Sequence, residues 1–148
     1  MIFFRFAVAF ATRSGVACLH QTLKEFVERG GKGQILVSKY LNFTEPNAVK
    51  RLKQFNGIEV KFVHLSNFHG KTYLFDHKEF SRLLVGSSHL TQEALGNNAE
   101  INLAATLQKK SRLYEQTTEQ INYWWDVSDE LTSKNLEMYE NAWHHSKQ

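Results

Sequence analysis

The apolar positions of the chain alternate between short runs and helical stripes. Residues 1–11 form a short apolar run rich in aromatic and branched side chains, which predicts a buried first strand. The next apolar positions recur at helical spacing and are Val16, Leu19, Leu23, Phe26 and Val27. Because Gly30 and Gly31 follow this stripe, we predict that the helix ends there.

A secretory signal is the alternative interpretation of residues 1–11. Ala9-Phe10-Ala11 has the small-residue spacing of a cleavage site, but Arg5 interrupts the apolar segment that such a signal needs. The run is also too short to span a membrane. We therefore interpret it as a strand.

The later elements continue the order strand, helix, strand. The pattern predicts a strand at 34–37, a helix from Pro46 to about Phe55, and strands at 58–63, near 71–75, near 83–85 and from about 101 to 107. The remainder is acidic and helical. Ser128 is predicted to cap a last helix with the apolar stripe Leu131, Leu136, Tyr139 and Trp143. Together these elements predict one α/β domain.

Composition is typical of a single globular domain in a reducing compartment. The 148 residues are 42% hydrophobic and 22% charged, a balance that supports a sizeable core. Cys18 is the single cysteine, which excludes an intramolecular disulfide and a cysteine-based zinc site. We expect a cytoplasmic protein.

Basic charge is concentrated in the first 110 residues. They contain 15 Lys and Arg against 8 Asp and Glu, whereas residues 111–148 contain 3 against 7. A basic field favours a polyanionic partner such as nucleic acid. Ordinary solubilising lysines explain the same numbers almost as well, so charge alone does not identify the partner.

The candidate chemistry begins at His69. His69, Lys71 and Asp76 form the pattern His-x-Lys-x4-Asp. Residues two apart on a strand project from one face, so the imidazole and the ammonium are predicted to meet a single phosphate. Asp76 has the opposite parity, which predicts a supporting role. Gly70 leaves room for close approach of backbone or substrate.

A second segment follows, with Gly86-Ser87-Ser88-His89 and then Glu100. Together with the first pattern it resembles the phospholipase D superfamily, whose motifs are His-x-Lys-x4-Asp, Gly-Ser-x-Asn and a glutamate. Residues 10–16, Phe-Ala-Thr-Arg-Ser-Gly-Val, resemble the opening strand and turn of its small nuclease-like members. The resemblance covers about residues 1–107. His89 replaces the usual asparagine, although a histidine N–H also donates a hydrogen bond.

The resemblance implies a mixed central sheet flanked by helices and a phosphodiesterase close to small bacterial nucleases, with no cofactor and no metal. His69 would attack phosphorus to form a phosphohistidine. Lys71 would offset the phosphate charge, and Ser87 and His89 would add hydrogen bonds. Glu100 would accept the other ring N–H of His69 and fix its tautomer.

The resemblance also implies partners. In-line transfer needs a histidine on each side of the phosphate, and the chain has one His-x-Lys-x4-Asp, so we expect a two-fold homodimer with one shared site. A monomer that uses His89 or His77 as the general acid is the alternative. DNA is the expected substrate, and a recognition or helicase domain in the same system is a further expectation. Residues 1–110 would be the catalytic domain, and residues 111–148 a helical extension packed on it.

Two other functions stay open at this stage. One is a lipid phosphodiesterase or phosphatidyl transferase, and the other is a catalytically silent nucleic-acid-binding module in which His89 marks a degenerate site. Glu59-Val60-Lys61 is similar to the Glu-x-Lys of metal-dependent nucleases, but the upstream acidic partner is missing. A metal-dependent nuclease is therefore disfavoured.

The remaining aromatic and histidine residues are predicted to be structural. We expect Trp124 and Trp125 to be core or interface anchors. His20, His64 and His77 are expected to be structural or exposed, and the adjacent pair His144 and His145 makes at most a weak metal site.

Overall fold

The computed structural model describes residues 1–63, 65 and 68–147, with Tyr40 described by its backbone alone. His64, which was predicted to be structural or exposed, lies outside the described residues. The described strands are β1 (Phe3–Val8), β2 (Lys32–Val37), β3 (Ile58–Phe62), β4 (Lys71–Asp76), β5 (Phe80–Gly86), β6 (Asn102–Gln108) and β7 (Asp129–Glu130). The helices are α1 (Arg13–Glu28), α2 (Pro46–Lys53), α3 (Arg112–Asp126) and α4 (Ser133–Ser146). A 3-10 turn (Tyr40–Asn42) and a π-helical turn (Glu93–Asn97) complete the set.

The described strands form one mixed sheet in the order β6-β5-β4-β1-β2-β3-β7. β1, β2 and β3 are parallel, β4, β5 and β6 form an antiparallel meander beside β1, and β7 is antiparallel to β3. The register of the central strands pairs Val8 with Lys71, Thr72 with Val85, and Gly86 with Asn102. The ends of β1 and β5 and the starts of β4 and β6 therefore meet at one end of the sheet.

Helices cover both faces of the sheet. α1, α2 and α4 pack on one face, where their apolar side chains join the main core, including Val16, Phe26, Leu52, Leu136 and Tyr139. α3 packs on the other face, where Ile121 contacts the cluster that contains Leu74, Leu83 and Leu107. A sheet buried on both faces explains the uninterrupted apolar stretches at residues 6–8 in β1 and 35–37 in β2.

The structure confirms the predicted α/β class with a mixed sheet flanked by helices. The predicted elements up to residue 107 are present, and their ends shift by a few residues. α2 begins at Pro46 as predicted, because proline is tolerated where the helix has no hydrogen bond to lose.

The predicted cap of the last helix is wrong. α4 begins later, with Thr132 as its N-cap, and the Thr132 side chain accepts a hydrogen bond from the Asn135 N–H at 3.1 Å. Ser128 instead donates to the carbonyl oxygen of Trp124 at the end of α3. The short strand β7 separates the two helices, and its pairing with β3 is a tertiary contact that no local pattern encodes.

Candidate active site

His69 and Lys71 meet at the end of the sheet where β4 begins. The Lys71 Nζ lies 2.7 Å from His69 Nδ1. An ammonium has no lone pair, so Lys71 donates and this ring nitrogen accepts. His69 and Lys71 therefore lie side by side, and their joint contact with a phosphate stays a prediction. His69 is exposed, so the pair faces solvent at the end of the sheet.

The position of His69 is set by the segment before β4. β4 begins at Lys71, so His69 precedes the strand, and the pairing does not depend on strand parity as we expected. The Gly70 carbonyl accepts a hydrogen bond of 2.9 Å from the Ala9 N–H, which fixes this segment against the end of β1. A Cβ on Gly70 would lie 2.6 Å from the Phe68 ring. Gly70 is therefore required for packing against Phe68.

Ser87 and Glu100 form a second pair, across the ends of β5 and β6. The Ser87 hydroxyl donates to Glu100 Oε2 and accepts from the Ile101 N–H at 3.1 Å. The other carboxylate oxygen, Oε1, accepts from the Asn98 side chain at 3.4 Å. Within one chain Glu100 thus holds Ser87 and Asn98, and the predicted hydrogen bond from His69 to Glu100 is not among these contacts. That bond stays a prediction for the assembled site.

His89 lies between the site and the aromatic side chain of Phe10. Its ring stacks on Phe10 with centroids 3.8 Å apart, and it meets the His69 ring edge-on at 5.2 Å. Partial burial, followed by the charges of Lys71 and His69, lowers the pKa of His89 to about 4. His89 is therefore neutral at physiological pH and offers one N–H to a ligand. Its Nδ1 is buried and has no hydrogen-bond partner among the described residues.

The start of α1 holds the segment that carries His89. Ala11 forms a bridge with Leu90, and the Thr12 N–H donates to the Leu90 carbonyl at 3.1 Å. A Cβ on Gly15 would lie 2.2 Å from that same carbonyl oxygen. The predicted opening segment at residues 10–16 is therefore in direct contact with the second motif, and Gly15 is the residue that permits the close approach.

Comparison with known families identifies this arrangement. The model of the family described as cardiolipin synthase, PLD-like domain, matches residues 5–125. The chain belongs to this phospholipase D-like family. The matched region includes both motifs and extends through most of α3. A comparison with curated proteins found no match.

Several solved structures share the fold. NucT from Helicobacter pylori has a TM-score of 0.68 and 16% identity, and the match covers 88% of this chain and 83% of that one. Nuc from Salmonella typhimurium, a phospholipase D family member, has a TM-score of 0.61 and 20% identity over 87% and 81%. Phosphatidylserine synthase from Haemophilus influenzae has a TM-score of 0.68 and 13% identity over 88% of this chain and 34% of the synthase. At these identities the similarity concerns the fold.

Asp76 and His77 lie at the opposite end of β4 from Lys71. Asp76 is 4% exposed, accepts a hydrogen bond from Ser81, and lies 3.9 Å from the Arg5 guanidinium. β4 has six residues, which separates its two ends by roughly 17 Å. His77 stacks on Phe80 at this far end. A role for His77 as the general acid of a monomer is therefore wrong, because it is too distant.

Several residues around the site were not singled out from the sequence. The buried Tyr73 hydroxyl donates to the Ser88 carbonyl at 2.8 Å, and Asn102 donates to the Ser88 hydroxyl at 3.0 Å. Burial, followed by the charge of Glu100, raises the pKa of Tyr73. Phe10 joins the site by stacking on His89, although its motif position was noted only as part of the opening segment. These contacts depend on strand register, which spacing along the chain does not reveal.

The remaining sequence candidates lie outside this site. Lys61 stacks on Trp125 at 4.6 Å, and Trp124 packs on Phe68 at 5.1 Å, so both tryptophans are packing residues as expected. His144 and His145 are exposed in the last turn of α4. Across the described residues, no three His, Cys, Asp or Glu side chains are grouped to hold a metal ion. The described helices include none with the length and apolarity needed to cross a membrane.

Proposed function

We propose that the chain is a metal-independent phosphodiesterase that cleaves DNA through a covalent phosphohistidine on His69. The observation that carries this proposal is the 2.7 Å contact between Lys71 Nζ and His69 Nδ1. An imidazole and a cation this close together can act on one phosphate when Lys71 leaves Nδ1 for the phosphate oxygens, which makes a ring lone pair available for attack. Membership of the phospholipase D-like family supports the same reaction class.

The reaction takes place in two displacements. A ring nitrogen of His69 attacks phosphorus, the P–O bond to the leaving group breaks, and the leaving oxygen takes a proton from His69 of a second copy. Water then gives a proton to that second imidazole and attacks phosphorus, and the P–N bond breaks. Lys71 offsets charge on the phosphate oxygens, and neutral His89 donates a hydrogen bond. Ser87 donates to the phosphate once Glu100 accepts from His69 and no longer accepts the Ser87 hydroxyl proton.

The second copy is part of the proposal, because one chain contains one His-x-Lys-x4-Asp motif. His89, with a pKa of about 4, holds too few protons at neutral pH to serve as an efficient general acid. Apolar side chains beside the site support association of two copies, since Val85, Ile101 and Leu103 are 42%, 81% and 74% exposed. A two-fold axis at this end of the sheet brings both His69 rings to one phosphate.

DNA is proposed as the substrate on the basis of charge and similarity. The first 110 residues contain seven more basic than acidic residues, as 15 less 8, and a basic field favours a polyanion. Two of the structures that share the fold are the nucleases NucT and Nuc. A recognition or helicase partner stays a proposal of the same kind.

A lipid phosphodiester is the second candidate substrate. A cavity of about 340 Å³ lies between α1 and the sheet, and most of its wall consists of apolar side chains such as Phe4, Phe26 and Leu84. Ser88, next to the two motif residues Ser87 and His89, forms part of the same wall. An acyl chain is the chemical class that suits such a cavity.

One experiment tests the class, the cofactor and the nucleophile together. Labelled single- and double-stranded DNA, RNA and a phosphodiester lipid are incubated with the purified chain in excess EDTA. We expect DNA to be cleaved, and His69→Ala to lower the rate by about 10³-fold or more. His77→Ala is the matched control, because that histidine lies at the far end of β4. Strict magnesium dependence would contradict the mechanism, and cleavage of the lipid alone would favour the second candidate.

The same assay distinguishes a catalytically silent module from the two candidate enzymes, the nuclease and the lipid phosphodiesterase. It would bind DNA without cleaving any substrate, and His69→Ala would then change nothing.

A further inference from the structure

A row of four aromatic rings leads from the candidate site to the protein surface. Phe43 meets Phe10 edge-on at 5.4 Å, Phe10 stacks on His89 at 3.8 Å, and His89 meets His69 edge-on at 5.2 Å. Phe43, the ring of this row that is farthest from His69, is 44% exposed. Its ring therefore lies three ring contacts from His69 and outside the set of residues proposed to act on the phosphate.

The loop that carries Phe43 is firmly anchored. The neighbouring Thr44 is fully buried, its carbonyl accepts from the Tyr139 hydroxyl at 2.6 Å, and its hydroxyl accepts from the Ala11 N–H at 3.3 Å. The exposure of Phe43 is thus maintained by fixed neighbours.

The backbone just before Phe43 is strained. Leu41 and Asn42 have φ values of 48° and 55°, in the left-handed region that a leucine rarely occupies. Strain of this kind persists where the surrounding structure imposes it, and it is concentrated at ligand-binding positions. The strained turn places an exposed aromatic ring beside the site.

We propose that Phe43 is a nucleobase-stacking residue that gives the site a preference for single strands. This inference rests on the proposed nuclease function. An aromatic ring stacks on any base, but only when the base is not covered by its neighbours in a duplex. Phe43 would receive the base of a nucleotide that flanks the phosphate held by His69 and Lys71, and exposed Lys39 in the same loop adds positive charge for the backbone.

The test uses a short single-stranded oligonucleotide with one cleavable phosphodiester, in which all the remaining linkages are methylphosphonates. A matched set carries an abasic site at each position next to that phosphodiester. Wild type, Phe43→Ala and Phe43→Trp are compared for KM and kcat. Tyr123→Ala is the control for loss of an exposed aromatic ring, since Tyr123 is 56% exposed on α3, on the other face of the sheet.

We expect Phe43→Ala to raise KM for single strands by about 5- to 100-fold, with a much smaller change in kcat. Tyr123→Ala should behave like wild type, and Phe43→Trp, which keeps an aromatic ring for stacking, should have a KM well below that of Phe43→Ala. An abasic site at one of these positions should raise the KM of wild type by a similar factor. It should not change the KM of Phe43→Ala, because that variant has no ring on which the missing base could stack. The same Phe43 and Tyr123 variants are also made in the His69→Ala protein, and their Kd values for these oligonucleotides are measured by fluorescence anisotropy. These Kd values should change in the same way as KM.

Two results would overturn the inference. In the first, wild type cleaves the oligonucleotide, but abasic sites raise the KM of wild type and of Phe43→Ala by the same factor. Phe43 then does not stack on a base, and the nuclease function stands. If wild type neither cleaves nor binds any nucleic acid, the proposed function fails and the stacking role fails with it.

Discussion

At the scale of single residues, His89 shows how the surroundings of the site change a side chain. Partial burial against Phe10, followed by the charges of Lys71 and His69, lowers its pKa to about 4. A histidine in the unfolded chain titrates at about 6.5. Between these two pH values the unfolded state binds more protons than the folded state, so His89 reduces stability as the pH falls from 6.5 toward 4.

We therefore expect His89→Asn to make the fold less sensitive to acid. Between pH 7 and pH 4.5 the wild type should lose on the order of 1 kcal/mol more than the variant, a figure reduced for the partial exposure of His89. This difference corresponds to about 3 °C in Tm. Thermal melts of both proteins at the two pH values measure it, with exposed His145→Asn as the control. Equal losses in wild type and His89→Asn would show that His89 is not responsible.

The two carboxylates of the motif should respond differently to loss of charge. Asp76 is buried, accepts from Ser81 and lies beside Arg5, so Asp76→Asn should destabilise the fold by about 2 kcal/mol, or about 6 °C in Tm. Glu100→Gln should leave the Tm nearly unchanged, because Glu100 is only half-buried at the end of the sheet. It should lower the single-turnover rate instead. Thermal melts and single-turnover rates measured on the same preparations test both expectations. An Asp76→Asn protein that is stable but inactive would refute the supporting role of Asp76.

At the scale of elements, the strands were predictable and the last helix boundary was not. The second halves of β1 and β2 are buried on both sides, which explains why these positions form apolar runs in the sequence. Ser128 and Thr132 are equally good N-cap residues by type. The choice between them depends on β7 pairing with β3, which is a contact between residues distant in the chain.

The candidate site divides in the same way. Motif spacing predicted one site for His69, Lys71, Ser87 and Glu100, and the register places the segments that carry them at the same end of the sheet. Contact between the His69–Lys71 pair and the Ser87–Glu100 pair stays a prediction. Phe43 could not be predicted, since its place depends on the conformation of a loop. The hydrogen bond from Ser87 to Glu100 also depends on the pairing of β5 and β6.

The contact between α1 and the second motif leads to a prediction at the element scale. We expect Gly15→Ala to push α1 away from Leu90, because the new Cβ would lie 2.2 Å from the backbone oxygen of Leu90. The displacement should lower both Tm and turnover, the latter by moving His89. Gly96→Ala is the matched control, since a Cβ there has no atom of the described structure within 4 Å. A Gly15→Ala protein with wild-type Tm and rate would show that this contact is not important.

At the scale of the whole molecule, the exposed apolar side chains beside the site and the single His-x-Lys-x4-Asp motif both favour association of two copies. Leu103 and Val85 are paired across β6 and β5, and Ile101 stands between Glu100 and β6. All three are exposed beside the site. Covering them with a second copy would bury apolar surface and bring in the second histidine at the same time. The proposed dimer thus gives one explanation for two separate features.

The last prediction concerns how activity depends on pairing of the two copies. Equal amounts of wild type and His69→Ala are unfolded together and refolded, so that copies pair at random. If both histidines are needed in one shared site, only pairs of two wild-type copies are active, and about a quarter of the activity of an all-wild-type sample remains. Independent sites in each chain would leave about half. The control is the same two proteins refolded separately and then mixed, which should give about half in either case. A value near half in the co-refolded sample would therefore rule out the shared site, whereas a quarter would exclude a self-sufficient monomer.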